Sequence, residues 1–216
     1  MSDASPEISY SAELRRKALH LGALVLPVGI LLLGRPLAPA VLVPLAALAV
    51  SLDWARVRSE PARRVLHVVF AGLMRPHEIP PLGAPVVLNG ATWMCVAAAL
   101  CSMVFAPAVA AASLAMLMVG DGAAAVVGRQ FGRTKWPGGL KSVEGTVAYA
   151  ATAFGIGLAV VFWPWESAAP GVALTLGACA VGAVVGALVE AIPIPLNDNV
   201  RVPLLAGAAM SLALAL

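Results

Sequence analysis

The chain has 216 residues, of which 61% are hydrophobic and only 12% are charged, and its mean hydropathy is +0.92. A soluble domain carries roughly 25% charged residues, so this composition excludes a soluble enzyme. The net charge of +3 comes without interleaved basic and aromatic residues, so we expect no nucleic-acid partner.

Seven apolar runs predict membrane-spanning helices. They cover residues 18–34, 36–52, 91–106, 107–127, 144–163, 169–189 and 202–216. The segment 64–74 is too short to cross and predicts an interfacial or re-entrant helix. The sequence therefore predicts an all-α, polytopic membrane helix bundle that forms a single domain over residues 1–216, with a flexible tail at 1–12.

The basic residues indicate an orientation. All 14 Lys and Arg residues except Arg35 lie before the first run or in the segments 53–90, 128–143 and 190–201. Because cytoplasmic loops carry an excess of Lys and Arg, we predict a cytoplasmic N-terminus. Most acidic residues and all three histidines lie on the same side, which predicts an active site at the cytoplasmic face. An alternative interpretation takes residues 1–40 as a signal peptide, although His20 and Pro27 fit its apolar core poorly.

Two charged groups flank the first two runs. Glu13, Arg16, Lys17 and His20 share one helix face because they are spaced three and four residues apart. Anchoring charge would explain the basic residues but not the acid and the histidine, so we predict a binding or catalytic role. Asp53 and Arg56 follow the second run, either as a surface ion pair or as part of a functional site.

Asp121 stands in the apolar sequence LAMLMVGDGAAAVVG. A lone charge in such a helix costs about 2.5–3.5 kcal/mol, so a partner must compensate it. Gly120 and Gly122 would allow a ligand to approach the backbone closely. A carboxylate beside glycines suits a metal ion or a phosphate; the alternatives are a helix cap or an ion pair inside the bundle.

The segment 128–146, GRQFGRTKWPGGLKSVEGT, combines basic side chains with five glycines. Basic side chains and free backbone amides are what a polyphosphate needs, and a membrane-anchoring basic loop is the alternative. The segment is not a Walker A loop, because Leu140 stands where that motif has glycine. The candidate residues here are Arg129, Arg133, Lys135, Lys141, Ser142 and Glu144.

The segment 189–203, VEAIPIPLNDNVRVP, places Glu190 at the end of an apolar run. Asn197, Asp198 and Asn199 follow it. This oxygen-rich set suits a hydrated cation or contacts to a ribose and base. A turn capped by asparagine is the alternative.

Four elements taken together resemble the membrane lipid-alcohol kinases, which include dolichol kinase, phytol and farnesol kinases and the CTP-dependent diacylglycerol kinase. They are ELRRKALH (13–20), VGDGAAAVVGRQFG (119–132), KSVEGT (141–146) and VEAIPIPLNDNVRVPLLAG (189–207). The resemblance implies transfer of a phosphoryl group, usually from CTP with magnesium, to the hydroxyl of a membrane-dissolved alcohol. Asp198 and Asn199 match an Asp-Asp-Asn element of the family, in which this chain has Asn197 at the first position.

The resemblance also implies roles for individual residues. Catalytic roles are predicted for Asp121, Lys141, Glu144 and His20, and magnesium binding for Asp121, Glu144 and Asp198. Nucleotide contacts are predicted for Arg16, Lys17, Gly120, Gly122, Arg129, Arg133, Lys135, Ser142, Gly145 and Asn199. The partners implied are a nucleotide, a lipid alcohol and the lipid bilayer.

Three other functions are compatible with the same residues. A phosphatidate cytidylyltransferase would use CTP and a metal but form a CDP-lipid, and its long C-terminal signature is missing. A transporter would use Asp121 and the glycines as an ion site in a broken helix, yet the polar residues crowd one face. A structural membrane subunit would bind no nucleotide.

Overall fold

The computed structural model describes residues 21–70, 78–138, 141–162 and 174–216. Within these ranges the chain forms helices and no strands. The helices are α1 (Val25–Arg58), α2 (Glu60–Phe70), α3 (Gly90–Val104), α4 (Pro107–Phe131), α5 (Val143–Phe162), α6 (Leu176–Ala191) and α7 (Asp198–Ala215). The prediction of an all-α fold is therefore confirmed for the described residues.

Three of these helices, α1, α4 and α5, are long and apolar enough to cross a membrane. Helices α3 and α6 are apolar but shorter. These lengths and compositions agree with a membrane-embedded helical bundle. The number of crossings and the side on which the N-terminus lies stay predictions.

Helix α1 combines two of the predicted spans, 18–34 and 36–52, into one element of 34 residues. Its backbone leaves the helical conformation at Gly34 (φ 60°, ψ −165°) and Arg35 (φ −96°, ψ 140°). Glycine suits the first of these positions because a positive φ brings a Cβ atom into a clash. The chain therefore breaks between the two predicted spans, and the second part continues to Arg58 instead of ending at residue 52.

Contacts at both ends show how the second part of α1 packs on α3. At one end, the Arg35 guanidinium donates to the backbone carbonyls of Ser102 and Met103, in the last turn of α3. At the other end, Asp53 accepts hydrogen bonds from Asn89, the N-cap residue of α3. The segment 36–53 therefore runs antiparallel to α3 along the full length of that helix.

Helix α4 is the central helix of the bundle. It packs against α1, α3, α5, α6 and α7, and the segment 109–118 is buried throughout. The alanines at 110–112 let neighbouring helices approach closely, as small residues do in membrane bundles. Gly120 and Asp121 follow this buried segment, in the interior of α4.

Candidate functional site

Hydrogen bonds connect polar side chains across one end of the bundle, which we call the polar end. Asn89 contacts Asp53, and the next residue, Gly90, donates its N–H to the Glu78 carboxylate (3.2 Å). The Asn199 side-chain amide donates to the Gly90 carbonyl (3.2 Å). Asp198 then contacts Lys141, which also contacts Glu190. One polar layer therefore joins α1, α3, α6 and α7 to the segment before α5.

The basic segment folds back on itself ahead of α5. Trp136 donates its backbone N–H to the Lys141 carbonyl (3.1 Å), and Val143 donates to the Thr134 carbonyl (2.9 Å). Lys135 and Ser142 form an isolated antiparallel bridge. This hairpin fixes the position of Lys141 relative to the start of α5; residues 139–140 lie outside the described part.

Ser142 directly precedes α5 and is buried. Its hydroxyl accepts a hydrogen bond from the Gly145 N–H (3.1 Å), which is the contact that an N-cap residue makes. A Cβ atom on Gly145 would lie 2.9 Å from the Ala124 carbonyl oxygen, so the backbones of α4 and α5 approach closely here. Two residues of the segment KSVEGT (141–146) therefore have structural roles: Ser142 caps α5, and Gly145 allows α4 and α5 to approach closely.

Glu144 holds the hairpin in place. Its Oε1 atom accepts hydrogen bonds from the backbone N–H groups of Arg133 (3.2 Å) and Thr134 (3.0 Å). Trp136 closes the same loop, because its indole N–H donates to the Thr146 hydroxyl (2.8 Å). The described contacts make Glu144 an anchor of the hairpin, and its predicted roles in catalysis and metal binding stay predictions.

Lys141 lies between two carboxylates from different parts of the chain. Its Nζ atom is 2.6 Å from Glu190 Oε1 and 3.3 Å from Asp198 Oδ2. It also donates to the Glu190 backbone carbonyl (2.5 Å). Asp198 pairs in addition with the buried Arg201, whose Nε atom is 2.8 Å from Asp198 Oδ1. The cluster therefore ties α6 and α7 to the hairpin through one ammonium group.

Asp121 lies in the interior of α4, which runs as a helix from Pro107 to Phe131. The interpretation of Asp121 as a helix cap is therefore wrong, because no helix begins there. Asp121 and Asp198 lie within electrostatic range of Glu190. The two flanking glycines differ: a Cβ atom on Gly120 would lie 2.8 Å from the Tyr149 ring, whereas nothing lies within 4 Å of a Cβ atom on Gly122.

The predicted magnesium ligands are only partly brought together. The described residues contain no group of three or more His, Cys, Asp or Glu side chains arranged to hold a metal ion. Glu144 contacts backbone amides, while Asp121 and Asp198 both lie near Glu190. Mg²⁺ in nucleotide sites uses one or two carboxylates and takes its other oxygens from phosphate and water, and magnesium binding by Asp121 and Asp198 stays a prediction.

The other predicted nucleotide residues lie around this region. Arg129, Arg133 and Lys135 are exposed, on the last turns of α4 and on the hairpin. Asn199 contacts the Gly90 carbonyl through its side chain and the Asn197 side chain through its backbone N–H. The structure brings these residues to the polar end, and contact with a nucleotide stays a prediction for each. Arg16, Lys17 and His20 lie outside the described residues.

The pair Asp53 and Arg56 is not at the surface, so that alternative is wrong. The two residues are 2% and 5% exposed, and Arg56 Nε is 2.9 Å from Asp53 Oδ1. Arg56 also donates to the carbonyls of Glu78 (2.5 Å) and Val87 (2.6 Å). This pair attaches the segment 78–89 to the end of α1.

Sequence reasoning placed Glu190 in an oxygen-rich set but missed its contact with Lys141. Glu190 is buried and contacts Lys141 through both its side chain and its backbone. This pairing had no local signal, because the two residues are 49 positions apart. Tyr149, which packs against Gly120, had no signal in the sequence pattern.

The chain is similar to phytol kinase 1, chloroplastic, of Arabidopsis thaliana, with 36% identity over 104 residues. The match covers 43% of this chain and 32% of the relative, so the chain spans about a third of the length of that protein. No protein-family model matches the chain. No solved structure matches it either.

Proposed function

We propose that the chain is a lipid-alcohol kinase that works at the polar end of the bundle, on the cytoplasmic side of a membrane. It transfers the terminal phosphoryl group of a nucleoside triphosphate, CTP in our proposal, to the hydroxyl of a membrane lipid alcohol. The similarity to a phytol kinase supports this reaction class. The observation that carries the proposal is Lys141, held by Glu190 and Asp198 where apolar helices meet a basic hairpin.

Phosphoryl transfer requires mainly positioning and neutralisation of negative charge. Lys141 is 37% exposed, so its ammonium group is accessible to a phosphate from the polar end. Arg129, Arg133 and Lys135 are exposed nearby and supply further positive charge for the triphosphate. The hairpin, anchored by Glu144, sets the distance between these groups and the bundle.

Two of the predicted ligands, Asp121 and Asp198, would hold magnesium in this proposal. The ion, when bound, supplies neutralisation of the phosphate oxygens. Glu190 keeps Lys141 at the same place, because the ammonium contacts both its carboxylate and its backbone carbonyl. In the proposal, the acceptor alcohol donates its hydroxyl proton to a carboxylate of this group as the phosphoryl group arrives.

The acceptor belongs to the lipid alcohols, with prenols, polyprenols, phytol and diacylglycerol as candidates. An apolar bundle with its polar groups at one end is suited to such a substrate, because the hydrocarbon chain stays in the membrane while the hydroxyl reaches the polar end. Gly122 contributes open space beside Asp121 on α4.

The test is label transfer by the full chain purified in detergent. The protein is incubated with Mg²⁺, γ-phosphate-labelled CTP or ATP and a panel of prenols, phytol and diacylglycerol, and label is followed into the lipid phase. We expect label in one lipid class and its loss by orders of magnitude in Lys141→Met. Arg64→Met is the control, because Arg64 is a basic residue of α2 outside this cluster whose side chain is 76% exposed, and it should retain most of the activity.

Two outcomes would contradict the proposal. Equal activity of Lys141→Met and wild type would remove Lys141 from the site. Formation of CDP-lipid from base-labelled CTP, with release of pyrophosphate and no γ-label in the lipid, would make the chain a cytidylyltransferase instead.

A further inference from the structure

Tyr149 is a buried tyrosine whose hydroxyl has no hydrogen-bond partner in the described part of the chain. Its side chain is 0% exposed. A buried hydroxyl without a partner destabilises a protein, so such groups almost always have an acceptor, either in the protein, in water or in a ligand. The hydroxyl of Tyr149 therefore indicates a missing acceptor.

The ring of Tyr149 lies between α4 and α6 at positions where both helices have glycine. A Cβ atom on Gly120 would lie 2.8 Å from Cζ of the ring, and one on Gly186 would lie 3.4 Å from the tyrosine oxygen. Neither helix could carry a larger residue here without moving the ring. The packing therefore fixes where the hydroxyl lies.

The surroundings of the hydroxyl are acidic. Glu190, Asp121 and Asp198 all lie within electrostatic range of Tyr149. Gly120 directly precedes Asp121, and Gly186 is one helical turn before Glu190. Tyr149 therefore packs beside the helix positions that precede two of these carboxylates, and two of the three, Glu190 and Asp198, contact Lys141.

The charge of the nearby carboxylates and the position of Tyr149 along α5 together indicate which class of ligand binds here. Three nearby carboxylates disfavour an anionic phosphate oxygen at the tyrosine, whereas a neutral alcohol can accept from Tyr149 and donate to a carboxylate. Tyr149 is five residues beyond Glu144, or about 7.5 Å farther along α5 from the basic hairpin. An alcohol whose hydrocarbon chain lies in the membrane reaches this depth, while the triphosphate belongs at the hairpin.

We infer that the Tyr149 hydroxyl is the hydrogen-bond donor to the oxygen of the acceptor alcohol, and that it positions this oxygen beside the carboxylates. This inference rests on the proposed function, since it names the residue that holds the acceptor. It makes Tyr149 a substrate-binding residue for the alcohol and gives it no contact with the nucleotide.

The test compares Tyr149→Phe with Thr152→Val in the full chain. Thr152 is a matched control because it lies one turn farther along α5, and its hydroxyl donates to the backbone carbonyls of Ala148 and Tyr149. In Tyr149→Phe we expect the KM for the alcohol to rise roughly tenfold, as loss of one hydrogen bond predicts. The KM for the nucleotide should change less than about twofold, and Thr152→Val should leave both constants near their wild-type values.

A binding measurement separates this inference from the proposed function. Addition of the alcohol without nucleotide should raise the unfolding temperature of wild type and of Thr152→Val, and should raise that of Tyr149→Phe much less. This shift tests the contact with the alcohol, while label transfer tests the kinase reaction, so each can fail alone. Without alcohol, Tyr149→Phe should unfold at the wild-type temperature or above it, because it loses an unsatisfied hydroxyl.

Three results would overturn the inference. The first is an unchanged alcohol KM together with an unchanged alcohol-dependent shift in Tyr149→Phe. The second is an equal rise in the KM values of alcohol and nucleotide. The third is a fall of several degrees in the unfolding temperature of Tyr149→Phe without alcohol, which would show that the hydroxyl holds a structural water.

Discussion

Lys141 contacts Glu190 twice, through the carboxylate at 2.6 Å and through the backbone carbonyl. The two residues are 49 positions apart, on the hairpin and at the end of α6. The contact brings a partly exposed ammonium to a buried carboxylate, so its removal leaves a buried charge with less compensation. This pair is therefore both a structural link and the centre of the candidate site.

Removal of the Lys141 ammonium should destabilise the protein, because the buried Glu190 carboxylate loses its partner. We expect Lys141→Met to lower the free energy of unfolding by about 1–3 kcal/mol, less than for a fully buried pair because Lys141 is partly exposed. The double variant Lys141→Met with Glu190→Gln should be more stable than Lys141→Met alone, since it no longer buries an unpaired charge. Thermal unfolding in detergent measures both; equal stability of the two variants would contradict the role of Glu190.

The buried pair Asp53 and Arg56 should contribute far more to stability than an exposed pair nearby. Asp53→Ala removes the partner of a buried guanidinium and two hydrogen bonds from Asn89, so we expect a loss of about 3–5 kcal/mol. Glu60→Ala is the control, because its pairs with Arg63 and Arg64 are exposed and span 3.7 and 3.9 Å. Its effect should stay below about 1 kcal/mol. Similar unfolding temperatures for the two variants would show that the first pair does not hold α1 to the segment 78–89.

We expect Glu144 to influence nucleotide binding by holding the hairpin in place. Glu144→Ala removes the acceptor for the N–H groups of Arg133 and Thr134, so the hairpin should become mobile while the helices stay folded. We expect trypsin to cleave after Arg133 or Lys135 several times faster, and the nucleotide KM to rise more than the alcohol KM. A cleavage rate equal to that of wild type would mean that the indole contact of Trp136 is sufficient to hold the loop.

The glycines of α4 and α5 should respond differently to alanine. Gly145→Ala places a methyl group 2.9 Å from a backbone carbonyl, so α4 and α5 must separate and we expect a loss of about 1–3 kcal/mol. Gly122→Ala meets nothing within 4 Å and should leave stability unchanged or raise it by up to about 1 kcal/mol. If Gly122 lies at the nucleotide, as predicted, the same variant should still bind nucleotide more weakly. Titration of nucleotide binding beside an unfolding curve separates the two effects.

The helical architecture follows from the sequence because apolar runs and turn residues act locally. The break at Gly34 and the start of α5 at Ser142 both come from signals a few residues long. The cluster around Lys141 depends instead on which helix ends meet in space, and that is set by packing between α6, α7 and the hairpin. The contact of Glu190 with Lys141 and the place of Tyr149 beside Gly120 therefore come only from the structure.

The antiparallel pairing of the segment 36–53 with α3 has a consequence for sidedness. Arg35 lies at one end of these two paired helices and Asp53 lies at the other. When the paired helices cross a bilayer, their two ends therefore contact the water on opposite sides of the membrane. Only the Asp53 end adjoins the ionisable groups around Lys141. In sealed vesicles, the direction of insertion therefore decides which compartment must supply a water-soluble reactant.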